Sequence, residues 1–127
     1  SYIIGKVIKI NSLEGLTEIK LGKEKLTVFS NTLDLDQKVI VKIRSTDIII
    51  SKVIPDKLSS LNYIKTNIVD VVFEKELICL ILNFEKNLIK ALLTKKSYKK
   101  LNIKKGTYCY AIIKALNIND VTNISLV

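Results

Sequence analysis

Histidine is absent from the 127 residues, and cysteine occurs only twice, as Cys79 and Cys109 in apolar stretches. Neither cysteine has metal-ligand spacing, so with no imidazole to help them a zinc centre is excluded. A Cys79–Cys109 disulfide stays open on sequence, although buried free thiols in a reducing compartment are the commoner state of cysteines in such strands. Proline occurs once, at Pro55, and arginine once, at Arg44. No apolar run reaches the roughly 18 residues of a membrane span, and the first residues do not form a signal peptide, so a soluble chain is expected. There is no glycine-rich phosphate loop, no GxxxxGK[ST] and no histidine-based nucleophile system, and the acids Glu74 and Glu76 flank a turn. The sequence reads as a binding module, not an enzyme, with no covalently bound cofactor.

What it has in abundance is lysine. The net charge is +9, and the surplus is +3 over residues 1–54 but +6 over residues 55–127. Such a field gathers anions of any kind and says nothing about fold. Most of these lysines read as solvated surface. With a single arginine, the preferred bidentate reader of phosphates and guanine edges, nucleic acid is a weak reading. A composition of 48% hydrophobic and 26% charged residues marks a folded chain rather than a disordered one.

Segments such as KVIVKIR and LTEIKL alternate apolar and polar residues, the period of a half-buried strand, while DIIIS and ELICLILN are short, apolar and β-branched. Strands are expected near 2–10, 16–21, 24–30, 38–45, 47–53, 64–74, 76–83, 86–93, 107–116 and 121–127. Many short strands with frequent turns indicate a barrel or sandwich. Pro55 lies in the polar break KVIPDKLSS and divides the chain into repeats 1–54 and 55–127. A weak internal repeat supports that division: DQKVIVKIRSTDI resembles KKGTYCYAIIKALNI, aligning Arg44 with Lys114. Each half alone has a marginal core, so mutual packing or dimerisation is expected.

Helical spacing beats alternation in one place, LLTKKSYKKLNIKKG at 92–106. Leu93 precedes an N-cap at Thr94, Tyr98 and Leu101 share a face, and the helix should end before Gly106. A capping box would place Glu or Gln three residues after the cap; Ser97 stands there instead and leaves the helix start open to a foreign anion. The plain alternative is a threonine cap with a surface serine.

Around this helix four elements fall in a fixed order: SSLN at 59–62, TKKS at 94–97, LNIKKG at 101–106 and AIIKA at 111–115. Together they resemble the MOP or TOBE family of molybdate- and tungstate-binding domains, whose pattern runs Ser-x-Arg-Asn, Thr-x-x-Ser, Leu-Gly-Leu-x-x-Gly and Ala-x-Ile-Lys-Ala. The first half, with GKVIKI, GLTEIKLGKEKLTV and VKIRSTDIIIS, looks like the other repeat of the C-terminal regulatory region of molybdate-importer ABC ATPases. The resemblance covers essentially the whole chain. It implies an all-β fold with one short helix, built as two OB-like β-barrel subdomains in tandem. It also implies a homodimer and a pocket for a tetrahedral dianion. Carried onto this sequence, the oxyanion-binding positions are Ser59, Ser60, Leu61, Asn62, Thr94, Ser97 and Lys114, with molybdate or tungstate as ligand and no metal cation. Leu61 replaces the family's arginine, and Thr66 stands where glycine is usual. The first half has neither Ser-x-Arg-Asn nor Thr-x-x-Ser, so no pocket is assigned to it and Arg44 is left as a surface strand residue.

The resemblance further implies that an ATPase domain precedes Ser1 in the intact protein, that a membrane permease is its partner, and that it works in the cytoplasm at the inner face of the membrane. Three other readings compete. One is a stand-alone molybdate buffer. Another is an OB-type nucleic-acid module using Tyr98, Tyr108 and Tyr110 beside the lysines. The last is a dimerisation domain whose anion pocket has decayed.

Overall fold

The computed structural model describes residues 1–54 and 61–124. Strand β1, Tyr2–Asn11, shows how the chain sorts its faces: Ile3, Gly5 and Val7 are buried, while Tyr2, Ile4 and Lys6 face out. Successive side chains of a strand point to opposite faces, so the apolar alternation places one row in a core and the other in water. The same logic forms β2 (Leu16–Leu21), β3 (Glu24–Phe29), β4 (Lys38–Lys42) and β5 (Ile49–Ser51) in the first half. It forms β6 (Leu61–Phe73), β7 (Leu77–Phe84), β8 (Asn87–Thr94), β9 (Tyr108–Lys114) and β10 (Val121–Asn123) in the second, with helix α1 (Lys95–Leu101) between β8 and β9. The fold is thus all-β with one short α-helix, and each sheet curls into an OB-like half-barrel.

All neighbouring strands run antiparallel, in two five-stranded sheets of order β10-β4-β1-β2-β3 and β5-β9-β6-β7-β8. The orders match position for position, so the weak repeat in the sequence is a repeat in space. Each sheet, however, takes its outermost strand from the other side of Pro55. Strand β10 pairs with β4, Val121 opposite Val41, and β5 pairs with β9, Ile50 opposite Ala111. The two halves exchange their last strands.

Matching details run through both sheets. A β-bulge interrupts β1 between Val7 and Lys9 and β6 between Ile68 and Asp70. Each bulge is clipped by a loop: Val7 donates to the Gln37 carbonyl and accepts from Asp36, while Ile68 donates to the Thr107 carbonyl and accepts from Gly106. Asp36 and Gly106 both have positive φ, 64° and 92°. The segment LNIKKG is therefore partly a fastening loop for β6. Each fourth strand of a repeat leads into a short 3₁₀ turn, Ser45–Asp47 after β4 and Ala115–Asn117 after β9. Arg44 and Lys114 take the same place before these turns.

One core runs through both halves, joining Ile3, Val7, Ile19, Leu26 and Val41 to Ile64, Ile68, Leu80, Leu82 and Ile113. Fully burying each such side chain contributes about 1.5–3 kcal/mol. Cross-links between the halves add polar fasteners. The Ser1 hydroxyl accepts from Lys90 N at 3.1 Å, and Glu85 Oε1 accepts from Lys23 N at 3.0 Å. Phe29 N donates to the Ile118 carbonyl at 2.9 Å.

At Gly5, β2 leaves no room for a side chain. A Cβ there would meet Ile19 Cγ2, Leu21 Cδ2 at 2.6 Å and the Lys20 carbonyl at 2.9 Å. Its counterpart in the second half is Thr66, buried, with its hydroxyl donating to the Cys109 carbonyl at 3.0 Å. Both cysteines are buried and free, so no disulfide forms.

Several strands differ in extent from the sequence reading. Strand β4 ends at Lys42 and β5 is confined to Ile49–Ser51, because residues 45–47 turn instead of extending. Arg44 is no plain strand residue: its Nε donates to Asp47 Oδ2 at 2.7 Å across that turn.

Candidate oxyanion site

Helix α1 starts where the threonine requires it. Thr94 is extended, with φ −72° and ψ 156°, and its Oγ1 accepts from Ser97 N at 3.1 Å. The same hydroxyl donates to Ser97 Oγ at 3.0 Å. Tyr98 and Leu101 turn inward against the core, and Tyr98 meets Phe73 edge-on at 5.8 Å between ring centroids. The helix ends at Asn102, which adopts the left-handed conformation with φ 50° that asparagine tolerates better than most residues.

This arrangement corrects one part of the sequence reading. The Ser97 N–H is not open to a foreign anion, since Thr94 occupies it. What is left at the helix start is the pair of hydroxyls, exposed and bonded to each other, with Ser97 Oγ free to donate outward. The first turn holds no acid; Lys95 and Lys96 sit there, at the positive end of the helix dipole, where only an anion would be favourable.

Thr94 and Ser97 face a cleft of about 400 Å³ between α1 with the end of β8 and the exchanged strand β5. Ile48–Ile50 form one wall, Leu92, Leu93 and Leu101 the apolar floor, and Lys100 joins the two hydroxyls. Lys100 was missed by sequence reasoning. It lies three residues after Ser97, one helical turn, a spacing that places both on one face.

The other expected positions have different surroundings. Lys114 is exposed at the end of β9, opposite the backbone of Leu61 in the β6 ladder, and is not among the residues lining the cleft. Asn62 is 5% exposed and committed: its Oδ1 accepts from Thr27 N at 2.6 Å, and its Nδ2 donates to the carbonyls of Thr27 at 2.8 Å and Ile113 at 3.1 Å. The structure thus brings Thr94 and Ser97 together, and separately Leu61, Asn62 and Lys114. Ser59 and Ser60 lie outside the described residues.

Among the described residues no group of three or more His, Cys, Asp or Glu side chains could hold a metal ion. No helix among them is long and apolar enough to cross a membrane.

No family model matches the chain, and no curated protein matches it. Solved structures do. The cytoplasmic molybdate-binding protein ModG, in a form with molybdate bound, aligns over 97% of this chain and 95% of its own, with a TM-score of 0.84 and 18% identity. The two proteins share a fold. The likeness extends across both sheets and the exchanged strands, because it takes in nearly the whole of each chain.

Proposed function

We propose that this chain binds a tetrahedral oxyanion, molybdate or tungstate, without catalysing a reaction. The observation that carries the reading is the cleft in which Thr94, Ser97 and Lys100 converge beside an acid-free helix start. Hydroxyls donate to oxyanion oxygens without bringing negative charge. A lysine 4 Å from a bound anion adds about 1 kcal/mol per unit charge in water and about 4 kcal/mol at an effective dielectric of ~20. Support comes also from the fold shared with ModG, described as a cytoplasmic molybdate-binding protein.

The full site, in this reading, adds the segment Ser59–Asn62 and Lys114, with Asn62 acting through the backbone it fixes. Residues 1–54 and 55–127 form two repeats, and the chain works as a homodimer in the cytoplasm. In the intact system it serves as the regulatory part of a molybdate or tungstate ABC importer's ATPase subunit, docked to the membrane permease. The motifs SSLN, TKKS and AIIKA and the order of the halves support this context. Such regulation requires the anion to bind one state of the transporter better than another.

Calorimetric titration with molybdate and tungstate, against sulfate at constant ionic strength, tests the binding. Saturable heat that sulfate does not reproduce is expected, weakened by Ser97→Ala, Lys100→Gln and Lys114→Ala. No heat and no thermal shift with either metal oxyanion would reject it. Sedimentation equilibrium tests the dimer, and an ATPase reading requires a nucleotide-binding domain in the same gene.

A further inference from the structure

Four lysines that are scattered in sequence form one line in space. Lys25 of β3 is directly opposite Lys20 of β2, Lys20 is opposite Lys6 of β1, and Lys6 is opposite Lys38 of β4. Directly opposed residues of antiparallel strands project to the same side, and all four are exposed. At about 4.8 Å per strand the line is about 14 Å long. Lys6, Lys20 and Lys38 share a shallow depression of about 430 Å³ with Ile4.

Like charges placed directly opposite one another destabilise a sheet. The repeat does not require them: the matching positions of the second sheet are Leu88, Asn83, Asn67 and Tyr108, in the same register and all uncharged. Within the row, Lys6 has a carboxylate partner in Asp36, 3.7 Å away with both groups exposed. Glu18 on the adjoining row is engaged by Lys9 at 3.8 Å.

On the side away from Glu18 the same face of β1 carries Ile4, 57% exposed, and Tyr2, 68% exposed, with Lys42 of β4 directly opposite Tyr2 and its Nζ 5.9 Å from the centre of the ring. A tetrahedral ion would touch one or two of these lysines, and a flat membrane would meet the flanking Glu18 as well. A chain with phosphates along one side and bases along the other fits the whole pattern. We infer that the outer face of the first sheet is a binding site for single-stranded nucleic acid, its phosphodiesters along Lys25, Lys20, Lys6 and Lys38 and its bases over Ile4 and Tyr2. The scarcity of arginine argues against base reading, and this contact is one of backbone charge and stacking without sequence preference. The inference is independent of the oxyanion reading, whose hydroxyls and lysines lie in the other half of the chain.

Fluorescence anisotropy of a labelled twelve-nucleotide oligothymidylate, titrated with the whole chain between 50 and 200 mM salt, tests it. Four neutralised phosphates give a slope of log K on log salt near −3, or about a 50-fold loss over that range. Lys6→Gln/Lys20→Gln should reduce the slope by about 1.4 units, while Lys104→Gln/Lys105→Gln, in the basic loop after α1, should leave it unchanged. Tyr2→Ala should weaken binding without altering the slope. Circular dichroism melting establishes that each variant is folded. The inference is overturned by no binding at 50 mM salt, by an equal loss of slope in both lysine pairs, or by tighter binding of inorganic polyphosphate with the same number of phosphates.

Discussion

Asn62 Oδ1 accepts the Thr27 amide at 2.6 Å while its Nδ2 donates to the Thr27 carbonyl at 2.8 Å, so one side chain pairs with a β3 residue as a neighbouring strand would. The bond crosses from the second half of the chain to the first. Asn62→Ala would leave the Thr27 groups without these partners, which costs about 1–3 kcal/mol. Asn62→Asp should be worse, since it puts an oxygen where Nδ2 now faces the Thr27 and Ile113 carbonyls. Urea denaturation measures both; an unchanged midpoint in either variant would contradict the fastening role.

The two hydroxyls at the start of α1 have separable roles. Thr94→Ala removes the N-cap and should lower stability by about 0.5–2 kcal/mol. Ser97→Ala keeps the backbone bond to Thr94 Oγ1 and should change stability little. Both should weaken molybdate or tungstate binding. Thermal melts without ligand and titrations with it separate the cap from the ligand contact.

Gly5 and Thr66 occupy matching places with opposite tolerances. Gly5→Ala drives a methyl group against Ile19, Leu21 and the Lys20 carbonyl, and overpacking of this kind costs about 1–3 kcal/mol. Thr66→Val keeps the shape but gives up the hydrogen bond to the Cys109 carbonyl, a loss of about 1 kcal/mol. Denaturation of each single variant checks the ordering, with Gly5→Ala expected to be the more damaging.

The thiols set a pH dependence. Burial pushes both above their ordinary value; for Cys79 the Glu74 charge adds to this and Lys90 opposes it, and for Cys109 the hydrogen bond with Thr66 opposes it. A raised folded-state pKa favours the neutral thiol, so the contribution is complete below the unfolded value of about 8.5 and disappears as pH rises through the folded one. Stability should fall above about pH 9, less steeply in Cys109→Ala than in the parent chain. Alkylation of either cysteine at pH 8 should be slow compared with a free thiol.

The ten strands among the described residues were legible in the sequence, because period-two alternation and short β-branched apolar runs are local signals that survive in any fold. The helix was legible for the same reason: the Thr94 cap and the inward pair Tyr98 and Leu101 lie within two turns of each other. Partnership was not legible. Nothing local in VTN at 121–123 says that it lies beside Val39–Val41. The position of Lys100 in the cleft depends on β5 crossing from the other half to form the opposite wall, and Asn62 finds its partner 35 residues away. The four-lysine row depends on register between strands, which a one-residue slip would abolish.

The exchange of β5 and β10 has a consequence for how such a molecule can be divided or built. A lone half, cut near Pro55, would have β4 or β9 as an open edge and a terminal strand with no sheet to join. Two identical lone halves could satisfy one another only by trading tails, as an obligate pair. Joining them in one chain replaces a meeting of two molecules with a meeting of two ends, so assembly no longer depends on concentration. Cleavage near Pro55 would restore that dependence, leaving two fragments that fold only in each other's company.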